Sequence, residues 1–453
     1  MSKKINRKEF LKKTTALGLG ATIFPRFRET QNKEKETVRL GFIGTGLRGQ
    51  WLLDLASKRD DVSIPAICDI DDLMIDRTLK ILKRNKKVVP DIYKSGDEDY
   101  LNLVQRDDLD AVIIATPWEW HHPMAVAAMK AGKHVGLEVP AAITVEDCWD
   151  LVNVSEHTGM ECMILENVCY YRPVMALLNM VREGLFGELL HCQCGYQHDL
   201  REVKFNDGKQ AYGGGVEFGE KGFSESEWRT QHSVDRNGDL YPTHGVGPIS
   251  TMLNINRGNK FEHLTSTATK SRGLHNYIVK HGGENHPNAK VDFKLGDIVT
   301  TVIKCYNGET IVVSHDTNSP RPYSLNFRVQ GTNGIWMGDN YSIYLEDKSP
   351  NPHEWEPFDD YLKKYDHPLW KSFEDDADGA GHGGIDFFIV RAFIESVKRG
   401  VKPPLDVYDA VSMSVISPLS EKSIKNGSTA VEFPDFTRGK WKKNKPIFGV
   451  SDL

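Results

Sequence analysis

The 453-residue sequence predicts an α/β chain in two parts. The first, over residues 37–167, is a doubly wound parallel sheet. The second, over 168–453, is an α+β domain built on a large, open, mostly antiparallel sheet. Three observations carry this. Strand-like apolar runs alternate with helical patterns for about 130 residues from Val38, as parallel βαβ units do. VRLGFIGTGLRG, Val38 to Gly49, sets Gly44, Gly46 and Gly49 in GxGxxG spacing just after the first strand. Beyond about residue 187 period-two segments replace the helices, which fits antiparallel strands with one face free.

Val38, Leu40, Gly41, Phe42 and Ile43 are apolar or small, as a strand covered on both faces requires. The glycines read as a tight turn into a helix whose free N–H groups and dipole suit a pyrophosphate. Asp69 closes the second apolar run, VSIPAIC, 20 residues beyond Gly49. An acid there can accept both ribose hydroxyls and repel a 2′-phosphate, so the pattern reads as NAD rather than NADP; the other role open to Asp69 is to cap the next helix. DDLMIDRTLKILKRN has helical spacing, DAVIIATP (Asp110 to Pro117) is a strand, and HPMAVAAMKAG is a helix stopped by Gly132. KHVGLEVP (Lys133 to Pro140) and MECMILEN (Met160 to Asn167) are further strands, separated by a helix that Thr144 and Asp147 open. The strand ends bring Thr116 to His121, Glu138 and Asn167 to the crevice of the glycine loop, the ligand position of this Rossmann arrangement.

In the second part ELLHCQCGYQHDL begins a long strand, and a glycine-rich, irregular insertion spans Asp207 to Asn237. FEHLTSTATKS, DIVTTVIKCY, ETIVVSHDT and LNFRVQGT read as strands, with Asn307-Gly308 as a hairpin turn. GIDFFIVRAFIESVKRG and DVYDAVSMSVISPLSEKSIKNG return to helix.

A net charge of −6 gives no reason to expect nucleic acid or an anionic membrane as partner. No stretch approaches the ~18 apolar residues of a membrane span. Residues 1–36 read as a signal peptide and linker: basic Lys3 to Lys13, the weakly apolar TTALGLGATIFP, then polar RETQNKEKE. NRKEFLKK resembles a twin-arginine export motif with Lys8 in place of the second arginine, which points to the periplasm; the other reading is a basic tail on a cytoplasmic enzyme. Seven cysteines, most of them in apolar runs, read as buried thiols. His121 and His122 are adjacent and point apart, so no metal site is expected.

The layout resembles the glucose–fructose oxidoreductase, inositol dehydrogenase and MocA group. That group carries an EKP motif whose lysine serves the substrate hydroxyl; here the place reads Glu138-Val139-Pro140, which argues against an ordinary dehydrogenase. GLRGQ (Gly46 to Gln50), PWEWHH (Pro117 to His122), LENVCY (Leu165 to Tyr170), GYQHDLR, GVEFGEK, YPTHGVGP (Tyr241 to Pro248), RGLHNYIV and GAGHGG (Gly379 to Gly384) look like glycoside hydrolase family 109, NAD-dependent α-N-acetylgalactosaminidases. The resemblance implies cofactor contacts at Leu47, Arg48, Asp69, Trp118, Glu119, Trp120, His121, Glu138, Val139 and Asn167. It implies sugar contacts at Tyr196, Arg229, Tyr241, Pro242, Thr243, His244 and Tyr323.

An NAD-bearing glycosidase belongs to the redox–elimination class, which needs a base near C2 of the sugar. His244 is the first choice. Tyr241 and Tyr323 follow as phenol donors or acids, and His382, between glycines in GAGHGG, is a further candidate. Tyr196 and Arg229 suit the N-acetyl group or hydroxyls, although Arg229 can equally pair with Glu225 or Glu227. Trp118 and Trp120 suit the nicotinamide side. A sugar dehydrogenase and a non-catalytic sugar or NAD sensor are the competing classes, and a homo-oligomer stays open.

Overall fold

In the computed structural model, which describes residues 34–453, the first sheet comprises β1 (Val38–Ile43), β2 (Val62–Cys68), β3 (Asp91–Tyr93), β4 (Ala111–Ile114), β5 (His134–Leu137) and β6 (Cys162–Ile164). All pair in parallel in the order β3-β2-β1-β4-β5-β6. The order reverses between β1 and β4, and such a reversal leaves a crevice off the carboxyl ends of the strands. Leu40 and Phe42 have no exposed surface, which accounts for the unbroken apolar run.

The helix Leu47–Ser57 starts directly behind the glycines. The next, Asp72–Arg84, is capped by Asp71, whose carboxylate accepts from the Leu73 N–H at 2.8 Å. Thr144 caps the helix Val145–Thr158 by accepting from the Asp147 N–H at 3.1 Å. Three strands of this sheet are shorter than their sequence runs, β5 ending at Leu137. β4 stops at Ile114, and β6 stops at Ile164, with Asn167 opening the 3₁₀ turn Asn167–Tyr170. The Glu166 side chain caps that turn by accepting from the Val168 N–H.

The second sheet has nine strands: β7 (Leu189–Gln197), β8 (Phe261–Ala268), β9 (Ile298–Cys305), β10 (Thr310–Asp316), β11 (Arg328–Gly331), β12 (Gly334–Met337), β13 (Ser342–Leu345), β14 (Glu356–Pro357) and β15 (Val431–Glu432). Their order is β14-β13-β12-β11-β7-β10-β9-β8-β15. The pairings are antiparallel except β7 with β10; the chain between those two is long enough for the crossover that a parallel pair needs. Asn307-Gly308 turns β9 into β10, with Gly308 at φ 112°. On β9, Val299, Thr301 and Ile303 are buried while Ile298, Thr300 and Val302 face outward, so one face is covered and the other is free. The insertion 207–237 is not irregular throughout. It contains the helix Glu225–Asp235, whose first-turn acids favour its N-terminus.

The end of the chain returns to the first sheet. The helix Ile385–Arg399 packs on Leu47–Ser57 and β1, and Val407–Ser414 packs on Val145–Thr158 and β6. A break at Val415 separates Val407–Ser414 from Ile416–Lys425, because Pro418 has no N–H for the Ser414 carbonyl. All seven cysteines are free and buried. Among the described residues no helix is long and apolar enough to cross a membrane. The basic-then-apolar segment Lys3 to Pro25 lies outside the described residues.

Candidate active site

One cleft, enclosing about 1910 Å³ counted with space open to solvent, runs from the glycine loop to the second sheet. At the glycine end the main chain shapes it. Gly44 has φ +82°, and a Cβ there would stand 2.7 Å from the Ala115 backbone; at Gly49 a Cβ would stand 2.0 Å from the Gly44 carbonyl oxygen. At Gly46 a Cβ would meet nothing within 4 Å, so here the backbone faces open space. No side chain caps the helix that follows, which leaves its first N–H groups to an anion. These three environments fit a dinucleotide pyrophosphate. Asp69 lines the cleft. Its carboxylate accepts from the Thr45 N–H (2.5 Å), the Thr45 hydroxyl (3.1 Å) and the Asp71 N–H (2.9 Å). It holds the loop, and the helix cap is Asp71.

Deeper in, Arg48 donates to Glu138 Oε1 at 2.6 Å and to Asp386 Oδ2 at 2.9 Å. Asp386 also accepts from Asn167 Nδ2 and from His382 Nδ1, each at 2.7 Å. Burial works against the Asp386 charge, but His382 and the Arg48 guanidinium hold its carboxyl well below the usual range. Burial likewise opposes the Arg48 charge, and Glu138 with Asp386 more than offsets it. Asn167 Oδ1 is buried and has no partner, so it offers a bound ligand an acceptor. Val139 and Leu47 line the same wall. His121 is a tie between loops, its ring set between the carbonyls of Pro140 (2.7 Å) and Thr116 (2.8 Å). His122 sits between Asp147 and Asp150, one at each ring nitrogen. Among the described residues no group of three or more His, Cys, Asp or Glu side chains is placed to hold a metal.

At the other end, Tyr196 from β7, Arg229 from the insertion helix, Tyr241 just before the helix Thr243–Met252 and His244 in its first turn face the cleft. Of its two candidate acids Arg229 takes Glu225, at 2.5 Å. Its guanidinium lies 5.2 Å from the Trp118 ring centroid and 4.9 Å from that of Tyr241, while Trp118 and Tyr241 stack at 5.6 Å. Burial pushes the Tyr196 phenol up to about 12 and that of Tyr241 well above its ordinary value, with Arg229 acting the other way. Both are therefore hydrogen-bond donors at neutral pH. Burial disfavours the Arg229 charge, and Glu225 restores it. His244 Nδ1 lies 2.7 Å from Glu166 Oε1.

Tyr323, Pro242, Thr243 and Glu119 are absent from the cleft lining. Tyr323 is 52% exposed, its ring 5.0 Å from His198 and 6.3 Å from Tyr196, at the rim behind the lining. Pro242 and Thr243 are buried and start the helix that carries His244. Glu119 faces His232 at 3.6 Å. Trp120 lines the cleft, edge-on to Tyr100. Sequence reasoning gave no role to Glu166 or Asp386. The available signal was a lone acid beside Asn167 in an apolar run, and another opening the apolar helix after GAGHGG.

A doubly wound sheet whose glycine cradle opens toward a mixed, mostly antiparallel sheet defines the class: a dinucleotide-binding fold of the oxidoreductase type. Residues 38–165 match the model of the "Oxidoreductase family, NAD-binding Rossmann fold", and 170–443 match "Glycosyl hydrolase 109, C-terminal domain". A glycosyl hydrolase family 109 protein of Parabacteroides distasonis is 52% identical, over 98% of this chain and 99% of its own length. An alpha-N-acetylgalactosaminidase of Tannerella forsythia is 52% identical over the same shares. The chain belongs to glycoside hydrolase family 109. An inositol dehydrogenase homologue of Azotobacter vinelandii, solved with NADH and myo-inositol, shares the fold at 19% identity and TM-score 0.61, over 88% of this chain and 98% of its own.

Proposed function

We propose that this enzyme hydrolyses terminal α-linked N-acetylgalactosamine in glycans by redox–elimination, with an NAD that stays bound between turnovers. The observation that carries the reading is that the glycine cradle and His244 line one continuous cleft. Support comes from the relatives' named activity and from the carboxylates around the sugar end. Most glycosidases use two carboxylates flanking the bond. Here the two acids beside the sugar end, Glu166 and Glu225, pair with His244 and Arg229, while Glu227 on the same helix as Arg229 also lines the cleft.

Bound NAD supplies reversible oxidation at C3 of the sugar, which acidifies the C2 proton. His244 takes that proton as the C1–O bond breaks, and water then adds at C1 with net retention. Tyr241 donates a hydrogen bond to a sugar oxygen, where a preorganised donor stabilises developing negative charge, and Tyr196, its hydroxyl 3.1 Å from His198 Nδ1, stands beside it as a further sugar contact. Arg229 holds the N-acetyl carbonyl or a hydroxyl.

The test is an aryl α-N-acetylgalactosaminide incubated in heavy water without added NAD. Phenol release with deuterium at C2 of the product is expected. Phenol release without C2 labelling, together with unlabelled rates for 2- and 3-deuterated substrates, overturns the mechanism. Stoichiometric accumulation of reduced nicotinamide indicates a dehydrogenase. We also propose export by the twin-arginine-like segment; N-terminal sequencing from the native cell should find the residues before about Thr37 removed, and a full-length cytoplasmic chain would refute it.

A further inference from the structure

Glu166 follows β6, and its side chain has no exposed surface. Its hydrogen-bond partners are the His244 ring and the Val168 N–H, at 2.7 and 3.1 Å, and its Oε2 is buried without a partner. Gly247 makes room for it, since a Cβ there would stand 2.8 Å from Glu166 Cγ. Burying a carboxylate against a neutral ring is costly, and an apolar or amide side chain would fill the same space without a charge. The geometry around His244 gives that cost a use. The ring stands edge-on to Tyr196 and Tyr241, with centroids 5.4 and 5.0 Å away. With Nδ1 turned to the carboxylate, Nε2 is the nitrogen left for the cleft that His244 lines.

An ionised carboxylate only accepts, so the proton of the neutral ring belongs on Nδ1 and the lone pair on Nε2. We propose that Glu166 is the positioning residue for His244: it selects the Nδ1–H tautomer and balances the imidazolium that forms during turnover. This rests on the reading of His244 as the base that acts at C2. In that step the C2–H bond breaks and its proton goes to Nε2. The C2–H electron pair becomes the C1=C2 bond, and the C1–O pair leaves on the departing oxygen. Glu166 accepts the Nδ1–H throughout and takes no proton from the substrate.

The holoenzyme labelled with ¹⁵N-histidine tests this by long-range ¹H–¹⁵N NMR. The His244 signals are those lost in His244→Ala. The wild-type ring is expected as the Nδ1–H tautomer. Glu166→Gln should shift the population toward Nε2–H and lower kcat roughly 10²-fold, with KM within about threefold and the bound nucleotide unchanged. A wild-type ring protonated on Nε2 overturns the proposal, and that spectrum decides even if the variant does not fold. So does a Glu166→Gln enzyme with unaltered tautomer and kcat. If the tautomer behaves as expected but no deuterium enters C2 in the wild type, the positioning stands and the base reading falls.

Discussion

At the nucleotide end of the cleft, three glycines within six residues shape the site with main chain. At the sugar end, Tyr196, Arg229, Tyr241 and His244 come from three separate segments. There Arg229 and His244 each depend on an acid, Glu225 in one case and Glu166 in the other. Damage should therefore spread differently. A backbone cradle fails where a Cβ has no room, whereas a side-chain site fails when either member of a pair is lost. Asp386 is a third case, a side chain on the nucleotide side that holds Arg48, Asn167 and His382 together.

The largest expected effect is His244→Ala, which should lower the glycosidase rate ~10²–10⁴-fold while the purified protein keeps its nucleotide; loss of nucleotide would show that the two ends are not separable. Asp386→Ala should lower both the rate and the nucleotide content on purification and destabilise by about 1–3 kcal/mol, because Asn167 and Arg48 each lose an acceptor while Arg48 keeps Glu138; unchanged melting and nucleotide content would refute it. Asp239 probes the sugar end alone: it lies behind Tyr241, whose N–H it accepts at 3.4 Å. Burial pushes its carboxyl up to about 7, against about 4 in the unfolded chain. Between those values the folded state keeps a proton that the unfolded state has lost. Stability then falls as pH rises from about 4 to 7, by at most about 1.4 kcal/mol per unit. Asp239→Asn should remove that slope in thermal melts, and a parallel pair of curves would refute it. Gly49→Ala should destabilise by roughly 1–3 kcal/mol through the clash with Gly44. Gly46→Ala should melt like the wild type yet bind NAD more weakly in calorimetry, because only a ligand approaches that face.

The same contrast explains what could be read from the chain. Gly44, Gly46, Gly49 and Asp69 signal by local spacing, and the strands around them follow from unbroken apolar runs. His244, Tyr196 and Arg229 were reached through motif resemblance, and residue chemistry favoured His244. Its partner Glu166 lies 78 positions away, and Arg48 meets Asp386 across 338; no local period encodes such pairs. The insertion helix Glu225–Asp235 was masked by the glycines before it, which read as loop.

The helix Ile385–Arg399, with Asp386 near its start, packs on β1 and on the helix Leu47–Ser57. During synthesis the nucleotide domain therefore emerges from the ribosome without the helix that braces it and without the carboxylate that holds Arg48. A nascent chain halted before Asp386 has the glycine loop but not the finished cleft. The amino-terminal third produced alone, lacking Asp386 and the helix that packs on it, should bind NAD more weakly than the whole chain, and equal affinity in calorimetry would refute this.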